Sequence, residues 1–500
     1  MADDAKTQGQ ASSDENTDTD KDNGPKLAEK EPIRTRHEIT VGGKTLSYHA
    51  TVGMMPMKND KGEIEAEMFF MAYTLDTPEG SGGSRPLTFA FNGGPGSSSI
   101  WLHMGALGPK RVHLNPDGTA PPPPFRVVDN EQTWLAETDL VFIDPIGTGF
   151  SRAAKDEFNE KYWGYTGDIE SVGEFIRLYL SRYNRWTSPL FLAGESYGTI
   201  RATGLAGHLI DKGIAFNGII LVSALLNYQT LFHSTRPGDD IAYCVYVPGY
   251  TATAWYHERL PDDLQARPLA DVLAEVEEWT RNEYVVALMK GDLLTDDERA
   301  TTIRQLARYT GLSEDYVDRS ELRIGIMRFC KELLRDEKTT VGRLDSRFRG
   351  LDVLAVSDTP DYDPSMVQPT PPFTAAFNDY VRTELGYGTD TEYESLNFKV
   401  NQKWKFDQER TGFVQTAEAI RKAFLRSPYL KILVTCGYYD LATPYSAVTY
   451  TFNHMGLGGK MRDAVRYTYY ESGHMMYIDA EEREKFTADC LGFLRESVSQ

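Results

Sequence analysis

The chain is poor in the features that would mark several protein classes. Its 500 residues hold four cysteines, Cys244, Cys330, Cys436 and Cys490, far apart and without a C-x-x-C pair. That spacing offers neither a metal cluster nor a disulfide framework, and isolated cysteines in apolar surroundings read as packed thiols. Long hydrophobic runs are missing too. The longest, residues 218–226, is too short to span a bilayer. The N-terminus lacks the apolar core of a secretory signal, so a cytoplasmic protein without a membrane span is expected; a different true N-terminus would make it periplasmic or secreted. Positive charge is scarce as well. Fifty-three Lys and Arg against 73 Asp and Glu leave a net charge of −20. A nucleic-acid binder or an anionic-membrane binder needs a basic face that this composition does not supply. No internal repeat is visible.

What remains is a soluble-type composition, 41% hydrophobic and 25% charged, long enough for a large core. Residues 1–32 have almost no apolar side chains and read as a disordered acidic tail. Two alternating segments, 37–41 and 44–50, flank Gly42-Gly43 and predict a β-hairpin; 63–75 predicts a third strand. The short apolar runs 86–91 and 138–143 suit buried parallel strands, and the proline run 121–124 between them suits an extended surface excursion. Apolar positions from Ile169 to Leu180 recur at helical spacing, with Asp168 placed to cap that helix. Strand, helix and strand then alternate through residue 223. This rhythm predicts an α/β fold with a doubly wound, mostly parallel sheet.

From residue 228 the pattern turns helical, notably over 269–289 and after a capping box at Thr295 to Glu298, with an interruption in the Pro- and Asp-rich stretch 358–372. The α/β rhythm resumes at 429–435, followed by a helix after Pro444, a strand over 465–470 and a last helix from about Ala480. The expected organisation is therefore a tail (1–32), a first part of the core (33–227), a mainly helical cap insertion (228–424) and a second part of the core (425–500).

One stretch organises the chemistry. Gly194-Glu195-Ser196-Tyr197-Gly198 follows an apolar run and precedes a helical segment. Small residues on both sides of a serine permit the strained strand–turn–helix of a nucleophile elbow. Asp440 follows the strand that ends near Thr435, and His474 follows the strand that ends near Tyr470. Side chains beyond the carboxyl ends of parallel strands meet in one crevice. Serine needs an imidazole to take its proton, and the imidazole needs a carboxylate to fix its tautomer and stabilise its charge. Ser196, Asp440 and His474, in that chain order, therefore form the candidate catalytic triad of an α/β-hydrolase. Oxyanion donors are expected from the backbone N–H of Tyr197 and from the glycine-rich loop Asn92-Gly93-Gly94-Pro95-Gly96.

These residues resemble a known family. Asn92 to Ser99, Asp144 to Ser151, Gly194 to Gly198, Gly437 to Asp440 and Gly473 to Met475 look like the landmarks of the serine carboxypeptidases, α/β-hydrolases with a helical insertion that remove C-terminal residues from peptides. The resemblance covers about residues 85–227 and 428–480. It implies Ser196, Asp440 and His474 as the triad, Gly94 and Tyr197 as oxyanion hole, and a substrate site of Asn92, Gly93, Glu195 and Met475. Asn92 and Glu195 would hold the terminal carboxylate of the peptide. A carboxyl group donates to a carboxylate only while protonated, so Glu195 would need a raised pKa and activity would favour acid pH. The chain departs from the family where Ala90 replaces a tryptophan, Ser97 a cysteine and Ala106 an acidic partner; the family's usual disulfides have no counterpart.

The leading expectation is a serine-type carboxypeptidase working through an acyl-enzyme on peptides with a free C-terminal carboxylate, with no cofactor or metal. An esterase or acyltransferase using the same triad is the alternative, and a catalytically silent binding protein the more distant one.

Overall fold

A computed structural model describes residues 28–76, 85–231, 238–406 and 413–498. Most of the expected tail, residues 1–27, lies outside the described residues. Of its remainder, Glu29 pairs with Lys58 and Arg182.

Nine strands form the body of one sheet: β1 (Ile33–Val41), β2 (Lys44–Lys58), β3 (Ile64–Leu75), β4 (Leu87–Phe91), β5 (Asp139–Ile143), β6 (Leu190–Ser196), β7 (Gly218–Ala224), β8 (Lys431–Gly437) and β9 (Val465–Tyr470). Their spatial order is β1-β2-β3-β5-β4-β6-β7-β8-β9, and the two-residue strand Arg152–Ala153 pairs with β3. β1, β2, β3 and β5 are joined antiparallel, and every pairing from β5 to β9 is parallel. This order is that of the α/β-hydrolase fold. The hairpin between β1 and β2 turns on Gly42 and Gly43, both at positive φ (55° and 78°), which a two-residue turn of matching twist requires.

The inner parallel strands β4 to β8 are buried on both faces, as their largely apolar runs dictate, whereas the edge strand β9 is partly exposed. Along β6, Leu190 and Leu192 join a core with helices α1 (Tyr165–Arg182) and α2 (Tyr197–Leu209), whereas Phe191 and Ala193 face the opposite layer. That second layer contains α3 (Thr370–Thr383) and α5 (Ala480–Val498), while α4 (Ala417–Arg426) packs on the α2 side.

Several sequence expectations need correction. Asp168 does not cap α1. The helix begins at Tyr165, and Asp168 is buried in its first turn. The stretch 358–372 breaks helicity only in part, because a short helix starts at Pro364 and α3 starts at Thr370, with Pro371 and Pro372 in the first turn. There the missing N–H of proline removes no helical bond. The proline run at 121–124 is exposed but bent rather than extended. The region 228–424 is mainly helical, yet it also carries a hairpin, Thr339–Val341 with Arg349–Leu351. Only part of that region has its own core, spanning residues 243–341 with Leu441 and Ala447 of the α/β body. Phe373, Phe377 and Tyr380 of α3 instead pack into the sheet's second layer. The helix expected over 269–289 is present with one π-turn, Thr280–Tyr284, and the Thr295 capping box has both its bonds. All four cysteines are buried and unbridged. Among the described residues no helix is long and apolar enough to cross a membrane.

Candidate active site

Ser196 ends β6 with φ 58° and ψ −128°, a strained conformation for a residue with a side chain, and α2 starts at the next residue. The turn fits only between glycines. A Cβ on Gly194 would strike the Gly198 carbonyl, and one on Gly198 would lie 2.8 Å from the Phe91 carbonyl. The result is a half-exposed serine among buried neighbours.

His474 lies beyond β9 and Asp440 beyond β8. His474 Nδ1 is 2.7 Å from Asp440 Oδ2. The carboxylate is held in turn by the N–H groups of Ala442 (2.8 Å) and Thr443 (3.0 Å) and by the Thr443 hydroxyl (2.7 Å). Ser223 at the end of β7 donates to the His474 carbonyl at 2.6 Å. Burial pulls the His474 pKa down, but the charge and hydrogen bond of Asp440 outweigh it and leave it above the ordinary value.

The loop after β4 lies against the elbow. Gly93 packs so closely on the N–H groups of Tyr197 and Gly198 that no side chain fits there. Gly94, at φ 99°, follows it. Asn92 Oδ1 accepts from the Leu102 N–H at 3.0 Å. Arg201 of α2 donates to the Asn92 carbonyl at 2.6 Å and to both Asp168 oxygens at 3.0 and 2.8 Å. Its guanidinium also lies over the rings of Phe91 and Tyr197.

Glu195, next to the nucleophile, is buried, and burial pushes its pKa up to about 7, against the pull of His474 and of hydrogen bonds from Tyr477 and Asn92. The Tyr477 hydroxyl donates to Glu195 Oε2 at 2.6 Å. The Tyr477 ring fills the space beside Gly105, next to Ala106.

These groups open on one cleft of about 620 Å³. Asn92, Gly93, Gly94, Glu195, Ser196, Tyr197, His474 and Met475 line it, with Asp440 buried behind His474. Every site residue expected from the sequence is thus brought to one place.

The sequence pattern missed four participants. Arg201 and Tyr477 carried no motif signal, though Tyr477 stands only three residues past His474. The other two, Arg343 and Leu344, belong to the helical region's hairpin loop. The Leu344 carbonyl accepts the His474 N–H at 2.7 Å, and the Arg343 carbonyl accepts the Leu441 N–H at 3.1 Å.

The family model "Serine carboxypeptidase" matches residues 44–488. Serine carboxypeptidase-like 1 of Arabidopsis thaliana is 28% identical over 199 residues, 37% of this chain and 44% of that protein. Pheromone-processing carboxypeptidase KEX1 of Saccharomyces cerevisiae is 33% identical over 156 residues, 29% of this chain and 20% of that protein. The chain thus spans less than half the length of these relatives. Among solved structures, a lipase in its open form is 13% identical, with a TM-score of 0.35 over 90% of this chain and 100% of that one. A peroxisomal α/β-hydrolase from Saccharomyces cerevisiae is 9% identical, with a TM-score of 0.33 over 90% and 89%. Likeness at that level adds nothing to the fold already read from the strand order. The family match, by contrast, runs from β2 into α5 and encloses the whole cleft, and on it the chain belongs to the serine carboxypeptidase family.

Proposed function

We propose that the protein hydrolyses the C-terminal peptide bond of peptides through Ser196, His474 and Asp440. His474 takes the Ser196 proton as Oγ attacks the scissile carbonyl, and Asp440 holds the imidazolium that forms. The N–H groups of Gly94 and Tyr197 receive the oxyanion. His474 passes its proton to the departing amine, which leaves as the free C-terminal amino acid. Water, deprotonated by His474, then cleaves the acyl-enzyme and restores Ser196.

The exopeptidase reading rests on Glu195. It is buried beside the nucleophile and held toward its protonated form by burial. A neutral carboxyl in that position donates to a carboxylate where an ionised one repels it. Asn92 and the Gly93 backbone complete the carboxylate site, and Met475 borders it. Arg343 and Leu344 of the hairpin loop in the 228–424 region line one side of the cleft.

N-blocked dipeptides and their C-terminal amides, incubated from about pH 4 to about pH 8, test this. Release of the terminal amino acid from the free acid but not the amide is expected. Ser196→Ala should reduce it about a thousandfold or more. Ester cleavage without peptide cleavage would replace the peptidase reading with an esterase or acyltransferase.

A further inference from the structure

Arg343 is the sole Lys or Arg among the described residues lining the cleft. Its backbone is fixed. The Arg343 N–H donates to Asp363 Oδ1 at 3.2 Å, its carbonyl accepts from Leu441 at 3.1 Å, and the next carbonyl holds the His474 N–H. Among the described residues the guanidinium has no such anchor. Its nearest carboxylate oxygen there, Asp363 Oδ2, is 3.9 Å away, a loose ion pair too long for a hydrogen bond. The side chain is 41% exposed. Asp363 Oδ2 is itself enclosed, so an incoming cation meets Arg343 rather than that oxygen.

The cleft that Arg343 lines also carries the apolar side chains of Tyr228, Leu231, Met366 and Phe398. In a chain of net charge −20, a positive group without a hydrogen-bonded partner among the described residues stands out on the cleft that holds the reacting histidine. A guanidinium fork matches a carboxylate in planar, two-bond geometry. The terminal carboxylate is already provided for by Asn92 and Glu195 in the reading above, on which this inference rests. The ligand left for Arg343 is therefore a second carboxylate.

We propose that Arg343 is a specificity-determining residue that selects peptides with a Glu or Asp side chain on one of the two residues flanking the scissile bond.

The test uses N-blocked dipeptides in Glu/Gln pairs, varied once at the last position and once at the penultimate one. At one of these positions the wild-type kcat/KM for Glu should exceed that for Gln by about tenfold or more, as for a charge-assisted pair on a partly enclosed wall. Arg343→Gln should bring that ratio to about one, and Arg343→Glu should reverse it in favour of Gln. The ratio is insensitive to a general loss of folding or turnover, which scales both substrates alike. A wild-type ratio near one at both positions, or a ratio that survives Arg343→Gln, overturns the proposal. Failure of the wild type to release an amino acid from any dipeptide is a different result, since it overturns the carboxypeptidase reading and this inference with it.

Discussion

Glu195 and His474 share one proton economy. Glu195 moves from 4.5 to about 7 because burial disfavours its charge, and the negative charge of Glu195 is among the causes that raise His474. His474 in turn pulls the Glu195 pKa down, so each charge shifts the other's titration. The productive form has Glu195 protonated and His474 neutral, so kcat/KM should fall as pH rises through about 7 and Glu195 ionises. Tyr477 donates to Glu195 and favours the ionised form, so Tyr477→Phe should move that descending limb to higher pH. Glu195→Gln should remove the descending limb and move the ascending, histidine-dependent limb to lower pH. A profile unchanged in both variants would separate Glu195 from carboxylate binding. Stability follows the same sign. A folded pKa raised from 4.5 to about 7 gives stability that is full below 4.5 and lost as pH rises through 7, about 3 kcal/mol in all. Glu195→Gln should therefore raise the melting temperature relative to wild type at pH 8 and not at pH 4.

At the scale of elements, α1 and α2 are joined under the elbow by a buried ion pair. Asp168 of α1 and Arg201 of α2 have side chains only 2% and 1% exposed, and Arg201 also ties down the Asn92 carbonyl. Arg201→Met would leave Asp168 in a low-dielectric site without its partner, which costs about 3–5 kcal/mol, whereas changing both residues to apolar ones should recover much of that loss. Chemical denaturation of the single and double variants checks this. Because the Asn92 loop loses its donor in both, turnover should stay depressed in the double variant even where stability returns. The helix itself was legible in the sequence from its apolar spacing. The role of Asp168 was not, because an aspartate near a helix start satisfies the pattern of a cap, and the arginine that explains it lies 33 residues further on. Ser196, Asp440 and His474 were legible for the opposite reason. Ser196 and Asp440 each follow a buried, largely apolar run, His474 follows the edge strand β9, and the topology of a parallel sheet gathers such positions without any pairing having to be guessed.

At the scale of the whole molecule, the helical region is laced into the catalytic loops rather than resting over them. Such contacts join residues about a hundred positions apart and leave no periodic trace in either segment, which is why the sequence suggested a cap assigned by position alone. Arg347, 12% exposed, donates to Asp345 (2.8 Å), to Asp479 (3.1 Å), to the Glu471 carbonyl (2.9 Å) and to the Ser472 hydroxyl (2.8 Å). Asp345 in turn accepts the Gly473 N–H at 3.1 Å, and the Tyr439 carbonyl accepts the Ser346 N–H at 3.0 Å. The loop thus grips the residues just before both Asp440 and His474, while Asn92 follows β4 and Glu195 stands near the end of β6. Arg347→Met should therefore act on the histidine–aspartate geometry and leave carboxylate binding alone. A displacement on the order of 1 Å at a reacting group costs up to about a hundredfold in rate. The expected outcome is a kcat lowered about tenfold to a hundredfold with KM within about threefold of wild type, and partial recovery in Arg347→Lys, which keeps the charge but not the fork. Equal losses in kcat and in affinity would mean that the loop holds the cleft together as a whole and does not specifically position the triad.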